Sequence, residues 1–159
     1  QDVSVAIGRW GVSSAPSKLH TLLGSCVGIV LHDRATKVGG LAHIVLPDSR
    51  GCRETPGKFA DTAIPALIDE MDRMLERKNR GRLIAKIAGG ASMFQITCST
   101  GPESNIGELN RLAVEHILAS LRIPILARDV GGNAGRRLTF DTATGIVSIR
   151  VPGGESYEI

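Results

Sequence analysis

Aromatic residues are nearly absent from this chain of 159 residues, at 3% of the composition. A core of stacked rings is therefore excluded, and the interior must rest on Leu, Ile, Val and Ala. Long hydrophobic runs are missing as well. None approaches the roughly 20 residues that a membrane-crossing helix needs, and no signal-peptide pattern follows Gln1. Cysteine is scarce and odd in number, at three, which argues against a disulfide framework and for a reducing, cytoplasmic setting. Charge of one sign is lacking too. Nineteen basic and 16 acidic residues leave a formal +3, and the basic side chains are scattered except over Arg73–Arg82. That cluster reads as a solvated helix end favoured by the macrodipole rather than a nucleic-acid patch. Internal repeats, low-complexity tracts and linkers are absent, so one domain over 1–159 is expected. No cysteine or histidine pair has metal-ligand spacing. The glycine pairs 39–40, 89–90 and 131–132 do not match a nucleotide loop, so neither metal nor cofactor is expected.

What remains is ordinary for a globular protein, with 42% hydrophobic and 22% charged residues. The alternating stretch Val3–Arg9 reads as a strand interrupted at Trp10-Gly11, and Lys18–Leu23 as a second strand leading into Gly24-Ser25-Cys26. A polar loop runs from Asp48 to Gly57. The first helix is patterned by Ala60, Ala63, Ile64, Leu67, Ile68, Met71, Met74 and Leu75 at i, i+3, i+4 spacing, with Asp61 as its N-cap, Pro65 near its first turn, the methionines as core filler and Asn79–Gly81 as its stop. Leu83–Ala88 is a strand closed by Gly89-Gly90, and Ala91–Ser104 a loop. Asn105 and Glu108 suggest a capping box for a second helix reaching about Arg122, with Ile106, Leu109, Leu112, Ala113, Ile117 and Leu121 on its buried face. Ile123–Val130 is a strand. Arg137–Phe140 and Ile146–Val151 form a hairpin about Asp141–Gly145, and the tail Pro152–Ile159 is weakly determined. The expected fold class is α+β: a single-domain α/β sandwich of mixed, largely antiparallel sheets with two main helices.

The stretch Leu22–Pro47 (LLGSCVGIVLHDRATKVGGLAHIVLP) holds the most chemistry. It reads as a β-hairpin with Asp33–Thr36 as its loop, Leu31 facing Val38 and His32 facing Lys37. Extending that register sets Cys26 opposite His43, on one face, with Cβ atoms roughly 4.5–5.5 Å apart. A thiol beside an imidazole is a nucleophile beside a base, able to form a thiolate–imidazolium pair. Gly24 and Ser25 bring backbone N–H groups near that sulfur, where they could face an oxyanion. A third group should orient the imidazole. Strand parity favours His20, and Thr21 is the alternative if the glycine corner breaks that parity. Cys52 and Cys98 fall in loops, while His32 and His116 are expected at a turn edge and on a helix face.

Short blocks in fixed order carry a resemblance. Leu23–Cys26 (LGSC), Gly39–Pro47 (GGLAHIVLP), Lys58–Ile64 (KFADTAI), Ala85–Phe94 (AKIAGGASMF), Asn105-Ile106-Gly107 with Asn110, Asp129–Arg136 (DVGGNAGR) and Thr144-Gly145 run nearly the whole chain. So arranged, the sequence resembles the CheD family of bacterial chemoreceptor glutamine deamidases. The resemblance implies an α/β sandwich with Cys26 as nucleophile and His43 as general base and acid, hydrolysing receptor glutamine side chains through a thioester with release of ammonia. It also implies hydrolysis of receptor methyl esters. As partners it implies chemoreceptor cytoplasmic helices, as substrate, and the CheC phosphatase, with neither nucleic acid nor membrane insertion. The family's third catalytic residue is a threonine six places before the cysteine. That place is His20 here, so Thr21 matches only with a shift of one. Two other readings compete: a receptor- or CheC-binding regulatory module with little or no catalysis, favoured by the displaced threonine, and a different Cys–His hydrolase such as a thioesterase or peptidase.

Overall fold

The structure is a computed structural model describing residues 2–76, 82–92 and 105–159. The expected helix stop at Asn79–Gly81, most of the loop Ala91–Ser104 and Cys98 fall outside the described residues. Ten strands are described: β1 Val3–Ser4, β2 Trp10–Ser14, β3 Lys18–Leu23, β4 Val27–Asp33, β5 Val38–Ile44, β6 Leu83–Gly89, β7 Ile125–Val130, β8 Arg136–Asp141, β9 Val147–Arg150 and β10 Ser156–Glu158. They form two five-stranded sheets, one ordered β1-β3-β8-β9-β10 and the other β2-β5-β4-β6-β7. Only β1–β3 and β6–β7 pair in parallel, so the α+β class with mixed, largely antiparallel sheets stands. The helices α1 Ala60–Leu75 and α2 Ile106–Ser120 cover the outer face of the β5–β4 sheet. No helix among the described residues is long and apolar enough to cross a membrane.

Two layers of side chains hold these pieces together. Val27, Ile29, Leu31, Ala42 and Ile44 point at the helices and meet Ala63, Ile64, Leu67 and Met71. Val30 and Leu41 point the other way, into the gap between the sheets, with Leu19, Leu138 and Phe140. Strand β4 is therefore buried on both faces, which is why its sequence is a continuous apolar run instead of an alternation. The adjacent Gly39 and Gly40 serve this stacking. A Cβ on Gly39 would lie 2.4 Å from the Phe140 ring, and one on Gly40 would lie 2.6 Å from Leu67 on the opposite side.

The central hairpin departs from its expected register. Asp33, not Leu31, pairs with Val38, and Gly28, not Cys26, pairs with His43. The loop is four residues long as expected but spans Arg34–Lys37. Asp33 decides this. It is buried, it accepts the Ala35 N–H through Oδ1, and both its oxygens are bound by Arg82, while Lys37 takes the left-handed φ of 60°. A displacement of two residues keeps every side chain on its face. Cys26 lies just before β4 and does not stand directly opposite His43.

Other expectations change for local reasons. Trp10–Ser14 is a full strand, because it finds an antiparallel partner in β5; only Val3–Ser4 of the Val3–Arg9 stretch is strand. Asp61 is not the N-cap of α1. Phe59 holds that position, and the Asp61 carboxylate instead accepts the Ser49 N–H and hydroxyl at 2.8 and 2.7 Å. Pro65 lies inside the helix, Met71 is buried and Met74 is half exposed. Asn105 precedes α2 without a side-chain cap bond. The buried stripe of α2 is Gly107, Asn110, Val114 and Leu118, whereas Leu109 and Leu112 are exposed. Contact at the helix start sets that rotation, since a Cβ on Gly107 would meet the Gly90 and Ala91 carbonyl oxygens at 2.5 and 2.6 Å. The tail contributes β10, paired with β9.

The Gly24–Cys26 corner carries the chain from β3 in one sheet to β4 in the other, and Gly89 is moulded to it. Gly89 has φ +102°, and a Cβ there would lie 2.3 Å from the Cys26 carbonyl oxygen. Gly89→Ala should therefore cost about 3 kcal/mol or more in urea unfolding, through left-handed strain plus a backbone clash. Gly51→Ala, at φ +82° with nothing within 4 Å, should cost only about 1 kcal/mol. Equal losses at the two sites would contradict this packing.

Candidate active site

Thr21 on β3, Cys26 in the corner before β4 and His43 on β5 line one cleft. Thr21 lies on β3 with Leu19 and Leu23 on the inward face. His43 lies on β5, facing across to it. The two join through a 2.7 Å hydrogen bond between Thr21 Oγ1 and His43 Nδ1. His20 points the other way and stays partly exposed. Parity along the strand fails because β3 ends at Leu23. Cys26 follows a corner that changes sheets, so its face no longer depends on counting by twos from His20.

The Thr21 hydroxyl is also 2.7 Å from the Val5 carbonyl oxygen. That oxygen can only accept, so the single hydroxyl proton goes to Val5. The contact with His43 must then be made by an Nδ1–H donating to Thr21 Oγ1. This fixes the tautomer of a neutral imidazole and leaves Nε2 with a free lone pair. The N-terminal segment also holds the histidine backbone: the His43 N–H donates to the Arg9 carbonyl at 2.9 Å, and its carbonyl accepts from Gly8 N–H at 3.1 Å.

All three side chains are shielded, with Thr21 and His43 at 4% exposure and Cys26 at 8%. Burial pushes the Cys26 thiol pKa up and pulls the His43 pKa down to about 4. Both shifts favour the uncharged forms, a thiol at Cys26 and a neutral imidazole at His43. Beside them opens a cleft of roughly 650 Å³, whose lining includes Thr21, Gly24, Ser25, Cys26, His43 and Arg137. The exposed side chains of Ile7 and Leu22 stand at its rim.

The carbonyls of the Gly24–Cys26 corner all have partners. Gly24 accepts Ala91 N–H at 3.0 Å, Cys26 accepts Gly90 N–H at 2.9 Å, and Ser25 accepts from Asn110 Nδ2 at 3.3 Å. No acceptor for the Ser25 or Cys26 N–H is found among the described residues. Sequence reasoning passed over Asn110 as a site residue. The available signal was a polar residue three places after Gly107 on a helix whose remaining inward positions are aliphatic.

The other candidates lie elsewhere. Cys52 is exposed in its loop. His116 is exposed on α2. His32 is not at a turn edge in any open sense: it is buried near the end of β4, with Nε2 2.8 Å from the Thr142 carbonyl and its ring edge-on to Phe140. Among the described residues, no group of three or more His, Cys, Asp or Glu side chains could hold a metal ion.

Comparison with known proteins adds a family. The model described as CheD chemotactic sensory transduction matches residues 45–151, a span that begins just after His43. Relatives cover the rest. A protein from Clostridium botulinum (strain Hall), named "Probable chemoreceptor glutamine deamidase CheD", is 45% identical over 100% of this chain and 98% of its own length. A protein of the same name from Desulforamulus reducens is 46% identical over 96% of this chain and 92% of its own. Among solved structures, the Bacillus licheniformis hypothetical protein YfiH is similar with a TM-score of 0.43 and 14% identity, covering 76% of this chain and 49% of that one, a likeness too loose to bear on chemistry. With a family model over most of its length and relatives of this identity from end to end, the chain belongs to the CheD family.

Proposed function

We propose that this protein deamidates glutamine side chains on the cytoplasmic helices of chemoreceptors, with Cys26 as nucleophile, His43 as general base and acid, and Thr21 orienting the imidazole. One observation carries the reading: Thr21 gives its only proton to Val5, so His43 presents a free Nε2 in the cleft that Cys26 lines. The names of the relatives supply the substrate class.

The reaction follows from those groups. The Cys26 S–H proton passes to His43 Nε2 as sulfur attacks the carboxamide carbon, and the carbonyl π electrons move to oxygen. The N–H groups of Ser25 and Cys26 receive that oxyanion. The imidazolium, steadied through its Nδ1–H by Thr21, gives its proton to the departing nitrogen, and the C–N bond breaks to release ammonia. The product is a thioester on Cys26. Water then loses a proton to His43 and attacks the same carbon. The C–S bond breaks, sulfur recovers a proton, and glutamate is left. The balance is glutamine plus water giving glutamate plus ammonia, with no cofactor. A glutamyl methyl ester enters the same sequence with methanol as leaving group, so receptor methyl-ester hydrolysis is part of the proposal. So are a cytoplasmic location and the CheC phosphatase as a partner.

The contact of Thr21 with His43 supports catalysis over a purely binding role, whose one sequence argument was a misplaced threonine. Mass spectrometry of a receptor cytoplasmic helix incubated with the protein tests the proposal. A gain of about 1 Da at a glutamine without backbone cleavage is expected, as distinct from the products of a peptidase or thioesterase. Cys26→Ala and His43→Ala should retain the fold and lose about 10³-fold or more in rate. Thr21→Val should lose about 10- to 100-fold, mostly in kcat. Normal turnover by the first two variants would overturn the mechanism.

The uncharged resting pair has its own consequence. A thiol pKa raised by burial means less thiolate at neutral pH than free cysteine holds. Alkylation of Cys26 by iodoacetamide, resolved from Cys52 and Cys98 by peptide mapping, should be slow at pH 6–7 and climb through the alkaline range. A rate that is already at its plateau near pH 5–6 would show a preformed ion pair and contradict this account.

A further inference from the structure

The corner bearing Cys26 is gripped from behind by one amide. Gly24 and Cys26 give their carbonyls to backbone N–H groups of Ala91 and Gly90, but the Ser25 carbonyl between them has a side-chain partner, Asn110 Nδ2. The same nitrogen donates to the Val45 carbonyl at 2.9 Å. Val45 follows His43 by two residues. A single carboxamide on α2 thus ties the residue before the sulfur to the chain just beyond the imidazole.

Helix stability does not account for Asn110. It is fully buried, and its Oδ1 has no hydrogen-bond partner among the described residues. Val114 and Leu118 continue the same buried stripe with aliphatic side chains. An unpaired buried carbonyl is unfavourable where such a side chain would bury freely. The gain lies at the other end of the side chain. In a trans peptide the C=O and the following N–H point in opposite directions. Drawing the Ser25 oxygen toward α2 therefore turns the Cys26 N–H away from α2, and both Ser25 and Cys26 line the cleft.

We propose that Asn110 is a positioning residue for the reaction: by holding the Ser25 and Val45 carbonyls together, it aims the Cys26 N–H at the oxyanion and fixes it relative to His43. Asn110 touches no substrate. The inference rests on the deamidase reading and adds a residue to it.

The test uses the full chain carrying Asn110→Leu, which keeps the volume and removes both donors. Two rates are read: deamidation of a receptor helix fragment, and alkylation of Cys26 by iodoacetamide. Alkylation uses the thiol but generates no oxyanion. The proposal predicts that kcat falls roughly 10- to 100-fold, below the loss for deleting an oxyanion donor outright. It also predicts a KM within about threefold and an alkylation rate within about twofold of wild type. An unchanged kcat overturns it. So does a parallel fall in both rates, which would mark a general loss of structure.

Asn110→Asp provides a second reading that survives if the leucine variant does not fold. A protonated carboxyl donates one hydrogen bond and a carboxylate none. Its kcat relative to wild type should fall as pH rises through the carboxyl pKa, and a pH-independent ratio overturns the proposal. A wild-type protein that releases no ammonia overturns the deamidase reading together with this one. An active wild type beside an unaffected Asn110→Leu overturns this one alone.

Discussion

The Thr21 hydroxyl has one proton and two partners, and the chemistry of the site depends on where that proton goes. Val5 can take it and cannot return it. His43 must therefore donate from Nδ1, which leaves Nε2 unprotonated. The arrangement needs three segments at once: Val5 after β1, Thr21 on β3 and His43 on β5. It also needs burial, because an exposed hydroxyl would exchange these partners for water. Burial in turn sets the electrostatics, lowering the His43 pKa and raising that of Cys26. Both shifts favour an uncharged thiol and imidazole, and in the proposed reaction charge would develop only as the thiol loses its proton, with the threonine oxygen facing the imidazolium.

The sheets exist in the arrangement that makes this meeting possible. Thr21 and His43 belong to opposite sheets, so their bond crosses the interlayer, and the Gly24–Cys26 corner is one of the covalent links between the same two layers. Glycine appears where neighbouring pieces of this support come closest. Gly39 leaves room for Phe140, and Gly89 leaves room for the Cys26 carbonyl. Gly107 lets the first turn of α2 settle on Gly90 and Ala91, bringing Asn110 within reach of Ser25. The first strand, the corner, the β6 end and α2 are then one contiguous support for a thiol and an imidazole.

Much of this was legible in the sequence, and the gaps have physical causes. The fold class, the two helices and strand β3 followed from periodicity, because apolar spacing reports burial directly. The Cys26–His43 pairing came through a register that was off by two residues. Direct opposition is lost, since Gly28 and not Cys26 pairs with His43, and what joins the two residues is the lining of one cleft. Thr21 was harder to read. Its face relative to Cys26 depends on a corner that leaves one sheet for another, and no count along a strand carries across such a break. The inward face of α2 was read in part: Ala113, Ile117 and Leu121 do pack against the core, but Asn110 and Gly107 were missed for want of apolar surface and the exposed Leu109 and Leu112 were taken in their place. What decided the rotation was backbone approach and a hydrogen bond, to which hydrophobic spacing is blind.

The most direct measurement of the central claim is the ¹⁵N NMR signature of the His43 ring across pH. The account predicts a neutral imidazole protonated on Nδ1, with Nε2 at the shift of an unprotonated ring nitrogen, persisting at neutral pH and down to about 4. A ring protonated on Nε2 at neutral pH, or an imidazolium that persists at neutral pH, would contradict it.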